Sequence, residues 1–237
     1  MLTQVCLVAP AALASSILGR LARSGLGVPV FPAETPTALP PAPTPDSTLV
    51  LVNPQGLAEY LAWKSQADAQ GWHLLDIAGN LQNPLGQIYG WMLAVGAKHS
   101  DLAIAEPIIA ALSPALPNAW LHAGGPGAGA FLQTASGACL MQSGEVWLWL
   151  QRALQQPGST PFDLQSWQYL VHGGFEKLQR EARDYLALDT DTEPFTPWHA
   201  AQSGLLLQGS SNALARELAQ WLLILPVVPS PSAATAS

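Results

Sequence analysis

The stretch "VCLVAPAALASSILGRLARSGLGVPVF", residues 5–31, decides how the rest of the chain is read. Val5 to Val8 is a short apolar run with β-branched residues at both ends, the composition of a buried strand. After Pro10, the apolar residues Leu13, Ile17, Leu18 and Leu21 recur at helical spacing, and Gly25 and Gly27 end the pattern. "VPVF" (28–31) then supplies a second strand. This is the strand–helix–strand opening of a doubly wound α/β domain.

Beyond residue 31 comes "PAETPTALPPAPTPD" (32–46), whose six prolines exclude a ladder strand or a helix interior and predict an extended loop. "STLVLVN" (47–53) resumes as a buried strand. "GLAEYLAWKSQADAQG" (56–71) reads as a helix closed by Gly71, and "HLLDI" (73–77) as a further strand. The turn-rich 78–86 leads to an expected strand over 89–97. A helix over 101–112 follows, which Pro107 should kink or break, and then a last short strand at 119–124. From about Ala128 the pattern changes. Residues 131–154 hold no proline and are apolar on nearly every side, as in a helix buried on several faces. Residues 166–188 and 210–225 are further helices. The expected fold class is a reduced Rossmann-like α/β domain over 1–124, an all-α domain over 125–226 and a disordered tail over 227–237.

Composition narrows the function. With 49% hydrophobic and 11% charged residues, little polar surface is left, so a buried contact with a second copy or another protein is expected. Nine Lys and Arg against a net charge of −7 leave no basic stripe for nucleic acid. Cys6 and Cys139 lie in apolar runs and are expected to be buried thiols in a reducing compartment. The N-terminal apolar run lacks a basic start, and no apolar run approaches the roughly 20 residues of a membrane span, so a soluble, cytoplasmic protein is expected. His73, His99, His122, His172 and His199 show no metal-ligand spacing.

The order of short motifs resembles the 6-phosphogluconate dehydrogenase family and, more broadly, the β-hydroxyacid dehydrogenases. It is carried by "VCLVAPAALA" (5–14), "LVNPQG" (51–56), "DIAGN" (76–80) and "WMLAVGA" (91–97). "EPIIAALSP" (106–114), "GGPGAGAFLQTASGA" (124–138) and "PFDLQSWQYLVHGG" (161–174) continue it. The resemblance implies a dinucleotide-binding domain followed by a helical domain that pairs two chains into a homodimer.

The departures from that pattern carry the functional expectation. The family's first loop uses three glycines to let the backbone approach a pyrophosphate; here Ala9, Ala11 and Ala14 stand there, and Pro10 offers no N–H. The family's catalytic lysine is matched by Gln133, its histidine by Ser136, its substrate-orienting asparagine by Gly137 and a later glutamate by Leu140. An amide cannot take up and return a proton near neutral pH. Two segments of the family also have no counterpart. The proline-rich stretch stands where a helix and strand belong, and 81–88 is too short to hold the substrate loop. Asn53 and Asn80 are the remaining candidates for ligand contact, with Asn80 read first as a turn residue. Asp76 is either a ligand contact or a cap. Gly124, Gly125, Gly127 and Gly129 are read as turn formers rather than a phosphate cradle.

The expectation is therefore a catalytically inactive pseudoenzyme without bound cofactor and without metal, serving as a dimeric scaffold, partner-binding or regulatory protein. The alternative is an NADP(H)-dependent oxidoreductase of the same fold with atypical cofactor binding and an unknown substrate.

Overall fold

A computed structural model describes residues 5–32, 35, 39–155, 164–188, 194–205 and 212–224. Its centre is a six-stranded sheet in the order β2-β1-β3-β4-β5-β6. The strands are β1 (Val5–Ala9), β2 (Val30–Pro32), β3 (Thr48–Val52), β4 (His73–Gly79), β5 (Leu93–Gly96) and β6 (Trp120–Gly124). β1 to β4 are mutually parallel; β5 runs antiparallel to β4, and β6 parallel to β5. All five residues of β1 and of β3 are buried. That explains their unbroken apolar runs, since both faces of a parallel sheet are covered.

One face is covered by α1 (Ala11–Arg23) and α4 (His99–Leu112), which share a core with Leu7, Val50, Leu75 and Val95. The other is covered by α2 (Leu57–Ala69), α5 (Ala128–Gln155), α6 (Leu164–Leu188) and α7 (Leu214–Ile224). On that side Val8 and Leu51 of the sheet pack in one cluster with Tyr60 of α2, Phe131 of α5, Tyr185 of α6 and Ala219 of α7. Phe131 and Tyr185 stack at 5.0 Å, so α6 is clamped onto α5 by a ring pair as well as by area. The chain thus has a Rossmann-like α/β part followed by a helical region.

Several local expectations change. The strand expected over 89–97 shrinks to β5, because residues 86–89 form a helical turn, α3 (Gly86–Tyr89). Gly90 then takes φ +93, and a Cβ there would lie 2.3 Å from the Ser113 carbonyl. Pro107 neither breaks nor ends α4, which runs through it with the ring on the exposed face. Cys6 is buried, but Cys139 is exposed, because α5 has by then passed beyond the sheet that covers its first three turns. The C-terminal tail and the side chains of Trp149 and Trp167 lie outside the described residues. No helix among the described residues is long and apolar enough to cross a membrane.

Candidate functional site

The connection from β1 leads through α1 to β2 on one side, and that from β3 leads through α2 to β4 on the other. Strand order therefore reverses between β1 and β3, and the carboxyl ends of these two strands splay apart. A crevice of about 300 Å³ opens there. One wall is the start of α1, with Pro10, Ala12 and Ser16; the floor is the turn after β3, with Asn53 and Gln55; the far wall is the 81–87 segment. Its polar lining consists of amides and one hydroxyl, with no charged side chain.

The three alanines of the first loop are placed unexpectedly. Ala9 and Ala14 are buried, Ala9 within the core between sheet and α1, and neither lines the crevice. Buried in this way, neither Ala9 nor Ala14 projects into the crevice. Ala11 is exposed. The first turn of α1 carries neither a side-chain cap nor an acidic residue. Asn53 is held at φ +56 and its Oδ1 accepts from Gly79 N at 3.1 Å, so it joins the ends of β3 and β4. Asn80 is an exposed turn residue whose carbonyl accepts from Asn83 N, and it is not part of the crevice wall.

The other helix starts nearby are occupied by the protein's own carboxylates. Asp76, completely buried on β4, accepts from Gly127 N and Ala130 N, both at 2.7 Å. It is the cap, supplied from another element, for the start of α5. Burial pushes its carboxyl up to about 7, against the pull of those backbone donors. This arrangement explains the glycines around it. A Cβ on Gly129 would lie 2.6 Å from Asp76 Oδ2, and one on Gly96 would lie 2.5 Å from Asp76 Oδ1 and 2.6 Å from Ala128 N. Gly124 and Gly127 have φ of +154 and +88. The glycine-rich loop is an internal turn rather than a ligand cradle. Likewise Glu181 of α6 accepts from Leu57 N at 3.2 Å at the start of α2.

α5 leaves the sheet above β4 and heads for the carboxyl end of β3, where Thr134 lies against Gly56. Gln133, Ser136, Gly137 and Leu140 follow Gly129 on one helix face, at i+4, i+7, i+8 and i+11. Gly129 rests on the sheet, and the later four lie beyond its end. Gln133 is half-buried, Ser136 is exposed, nothing lies within 4 Å of a Cβ on Gly137, and Leu140 is 74% exposed. The structure thus brings these four residues onto one face, and none of the four has a side chain that titrates near neutral pH.

Sequence reasoning passed over Ser16, Gln55, Gln82 and Gln87. The one available signal was position: Gln55 and Gln82 each fall three residues after a strand's carboxyl end, whereas Ser16 and Gln87 carry no such signal. Among the described residues no group of three or more His, Cys, Asp and Glu side chains could hold a metal ion. Three histidines do meet elsewhere, in an aromatic cluster. His122 lies 5.1 Å from His99 and 4.8 Å from Phe195, and Trp120 lies 4.6 Å from His199. Burial lowers His122 to about 4, keeping it neutral.

No family model matches the sequence, and no curated protein does. Solved structures do match in fold. The 3-hydroxyisobutyrate dehydrogenase of Mycobacterium tuberculosis, solved with L-serine, is 16% identical over 94% of this chain and 99% of its own, with a TM-score of 0.47. The imine reductase of Myxococcus stipitatus with NADP+ is 13% identical over 93% of this chain and 91% of its own, with a TM-score of 0.44. A variant of it with NAD+ is 11% identical over 92% of each chain, with a TM-score of 0.43. Structures of this fold solved with NAD+ and NADP+ overturn the expectation of a chain without cofactor, which rested on Ala9, Ala11, Ala14 and Pro10. The likeness is one of architecture, at 11–16% identity and TM-scores below 0.5.

Proposed function

We propose that this protein binds a nicotinamide dinucleotide, NADP(H) or NAD(H), in the crevice between β1 and β3, and that it is an oxidoreductase with an atypical cofactor seat and an unknown substrate. The crevice itself is the observation that supports this reading. In open α/β sheets, ligands bind outside the carboxyl ends of the strands where the strand order reverses. The residues present fit the group. The acid-free first turn of α1 offers the positive end of a helix to a diphosphate. Asn53, Gln55 and Gln87 offer amides to ribose or carboxamide, and Ala9 and Ala14 are buried rather than lining the crevice. When bound, the nicotinamide would supply or accept a hydride. This chain's own residues bind and orient. With Gln133, Ser136, Gly137 and Leu140 at the family's catalytic positions, none of the four moves a proton, which favours a substrate needing no protein base.

That same absence supports a second reading, a catalytically inactive scaffold or regulatory protein. In either case we propose a homodimer through the C-terminal helices. Trp147 and Leu148, 63% and 46% exposed, extend the stripe of Leu140 along the protruding half of α5.

Thermal-shift titration with NADP(H) and NAD(H) tests the first reading. A ligand at a hundred times its dissociation constant adds about 2.7 kcal/mol and raises Tm. A shift seen in the wild type and lost in Ala12→Phe, which fills the crevice from an exposed position, supports the cofactor seat. No shift at millimolar cofactor overturns it and leaves the scaffold.

A further inference from the structure

The far wall of the crevice is built unlike the rest of the molecule. Between the buried residues Leu81 and Trp91, only Gly86 is buried and Gly90 half-buried; the other residues are exposed. The side chains are also arranged against the usual rule. Gln82 and Gln87 turn toward the crevice, whereas Leu85, Ile88 and Tyr89 are 58%, 62% and 66% exposed. A segment with its amides inward and its apolar groups outward is not held by hydrophobic burial.

What holds it is a set of polar clips to α1. Gln87 Nε2 donates to Ser16 Oγ at 2.8 Å, Arg20 Nη1 donates to the Ile88 carbonyl at 2.7 Å, and Arg23 Nη2 donates to the Gln87 carbonyl. All three are exposed to solvent, where water competes for each group. Arg20 is tied down independently of the segment, because it also donates to the carbonyls of Ala111 and Ser113 at the end of α4. Arg23 is therefore the clip that belongs to this contact. The segment is anchored at both ends and, through Trp91, along its first half as far as Gly86. Leu81 is in the core, and Trp91 is buried with its indole N–H donating to the Asn83 carbonyl. Gly86 lies flat on that indole, where a Cβ would come within 1.9 Å of Nε1. Gly90 at φ +93 supplies a backbone conformation in which the chain can swing.

We infer that residues 87–90 are a hinged flap beside the crevice, held against α1 by a polar latch of Gln87–Ser16 and Arg23–Gln87 and pivoting between Gly86 and Gly90. Two features motivate it. At about 300 Å³ the crevice is at the small end of the range for ligand sites, about 300–1,000 Å³. Gln87, the latch residue, is also one of its lining groups, so release of the latch widens the crevice for a larger ligand. The flap rests on the crevice and not on the identity of the ligand.

Residue-resolved amide hydrogen exchange without ligand tests it. The reporters are Ile88, Tyr89 and Gly90, whose N–H groups donate to the carbonyls of Leu85 and Gly86 and so are protected only while α3 is formed. In the wild type these amides should exchange at least about a hundredfold faster than those of β1 and β3, through local opening. Arg23→Ala should speed them a further roughly tenfold and leave the strand amides unchanged, and Arg23→Lys should recover part of the protection. Flap amides as slow as the strands, or an Arg23→Ala effect spread evenly over the whole chain, would overturn the flap. Saturating NADPH should slow the flap amides if the cofactor reading is right. No effect of NADPH alongside fast flap amides would sink that reading and leave the flap standing.

Discussion

At the scale of single residues, Asp76 controls more of this molecule than any other side chain. Its carboxylate is buried among backbone groups and caps α5 from a strand 51 residues earlier in the chain. Removing it in Asp76→Ala leaves two buried N–H groups unpaired. We expect a loss of about 2–4 kcal/mol in urea unfolding. Gly129→Ala should cost about 1–3 kcal/mol by the same measurement, because its methyl meets Asp76 and the Ala94 carbonyl with no room to move. The pH dependence has a definite sign. An acid raised on folding from its ordinary value near 4 to about 7 holds its proton more tightly in the folded state. Its contribution is complete below about pH 4 and is lost as the pH rises through 7. Unfolding free energies measured from pH 4 to 8 should therefore slope downward more in the wild type than in Asp76→Asn. Asp76 was noticed in the sequence as a strand-end carboxylate, yet its role was not legible there. The donors it serves are decided by where α5 crosses the sheet.

At the scale of elements, α4 and α5 teach different lessons. α4 was visible from its apolar spacing, and Pro107 argued for a break that did not occur. Its ring sits on the exposed face, and the missing N–H costs one bond of a helix whose inner face, Leu102, Ala105, Ile108, Ile109 and Leu112, is fully packed. Packing won over propensity. We expect Pro107→Ala to restore that bond and stabilise the protein by about 1–2 kcal/mol, less than the roughly 3 kcal/mol of an isolated helix because the unfolded chain also gains freedom. α5 was legible as a long helix, and its end-to-end apolarity as a buried one. Among its described side chains, burial is confined to the first turns. Exposure begins near Ser136, where the sheet ends. A helix of 28 residues spans about 42 Å, more than this sheet can cover.

At the scale of the whole molecule, the exposed apolar groups of α5 and the sparse charge ask for a second surface. Sedimentation velocity should give twice the chain's 25.0 kDa at micromolar concentration, and Trp147→Glu should shift it to the monomer without loss of helix content. A monomeric wild type would end the homodimer proposal.

The sequence by itself determined the elements. Buried strands need continuous apolar runs, helices on a sheet need apolar residues every three or four positions, and proline-dense stretches can be neither, so the order of strands and helices was written locally. It also determined the chemistry missing from positions 133, 136, 137 and 140, because a glutamine, a serine, a glycine and a leucine have no titratable group near neutral pH wherever they are placed. Only the tertiary structure decided which first-loop alanines are buried, which carboxylate closes the glycine-rich turn, and which glutamines line the crevice. Each of these is a contact between residues far apart in the chain, whose energy depends on the distance and direction that the folded sheet imposes. A loop with alanines at positions 9 and 14 can therefore keep a crevice beside it, because both are buried away from that space.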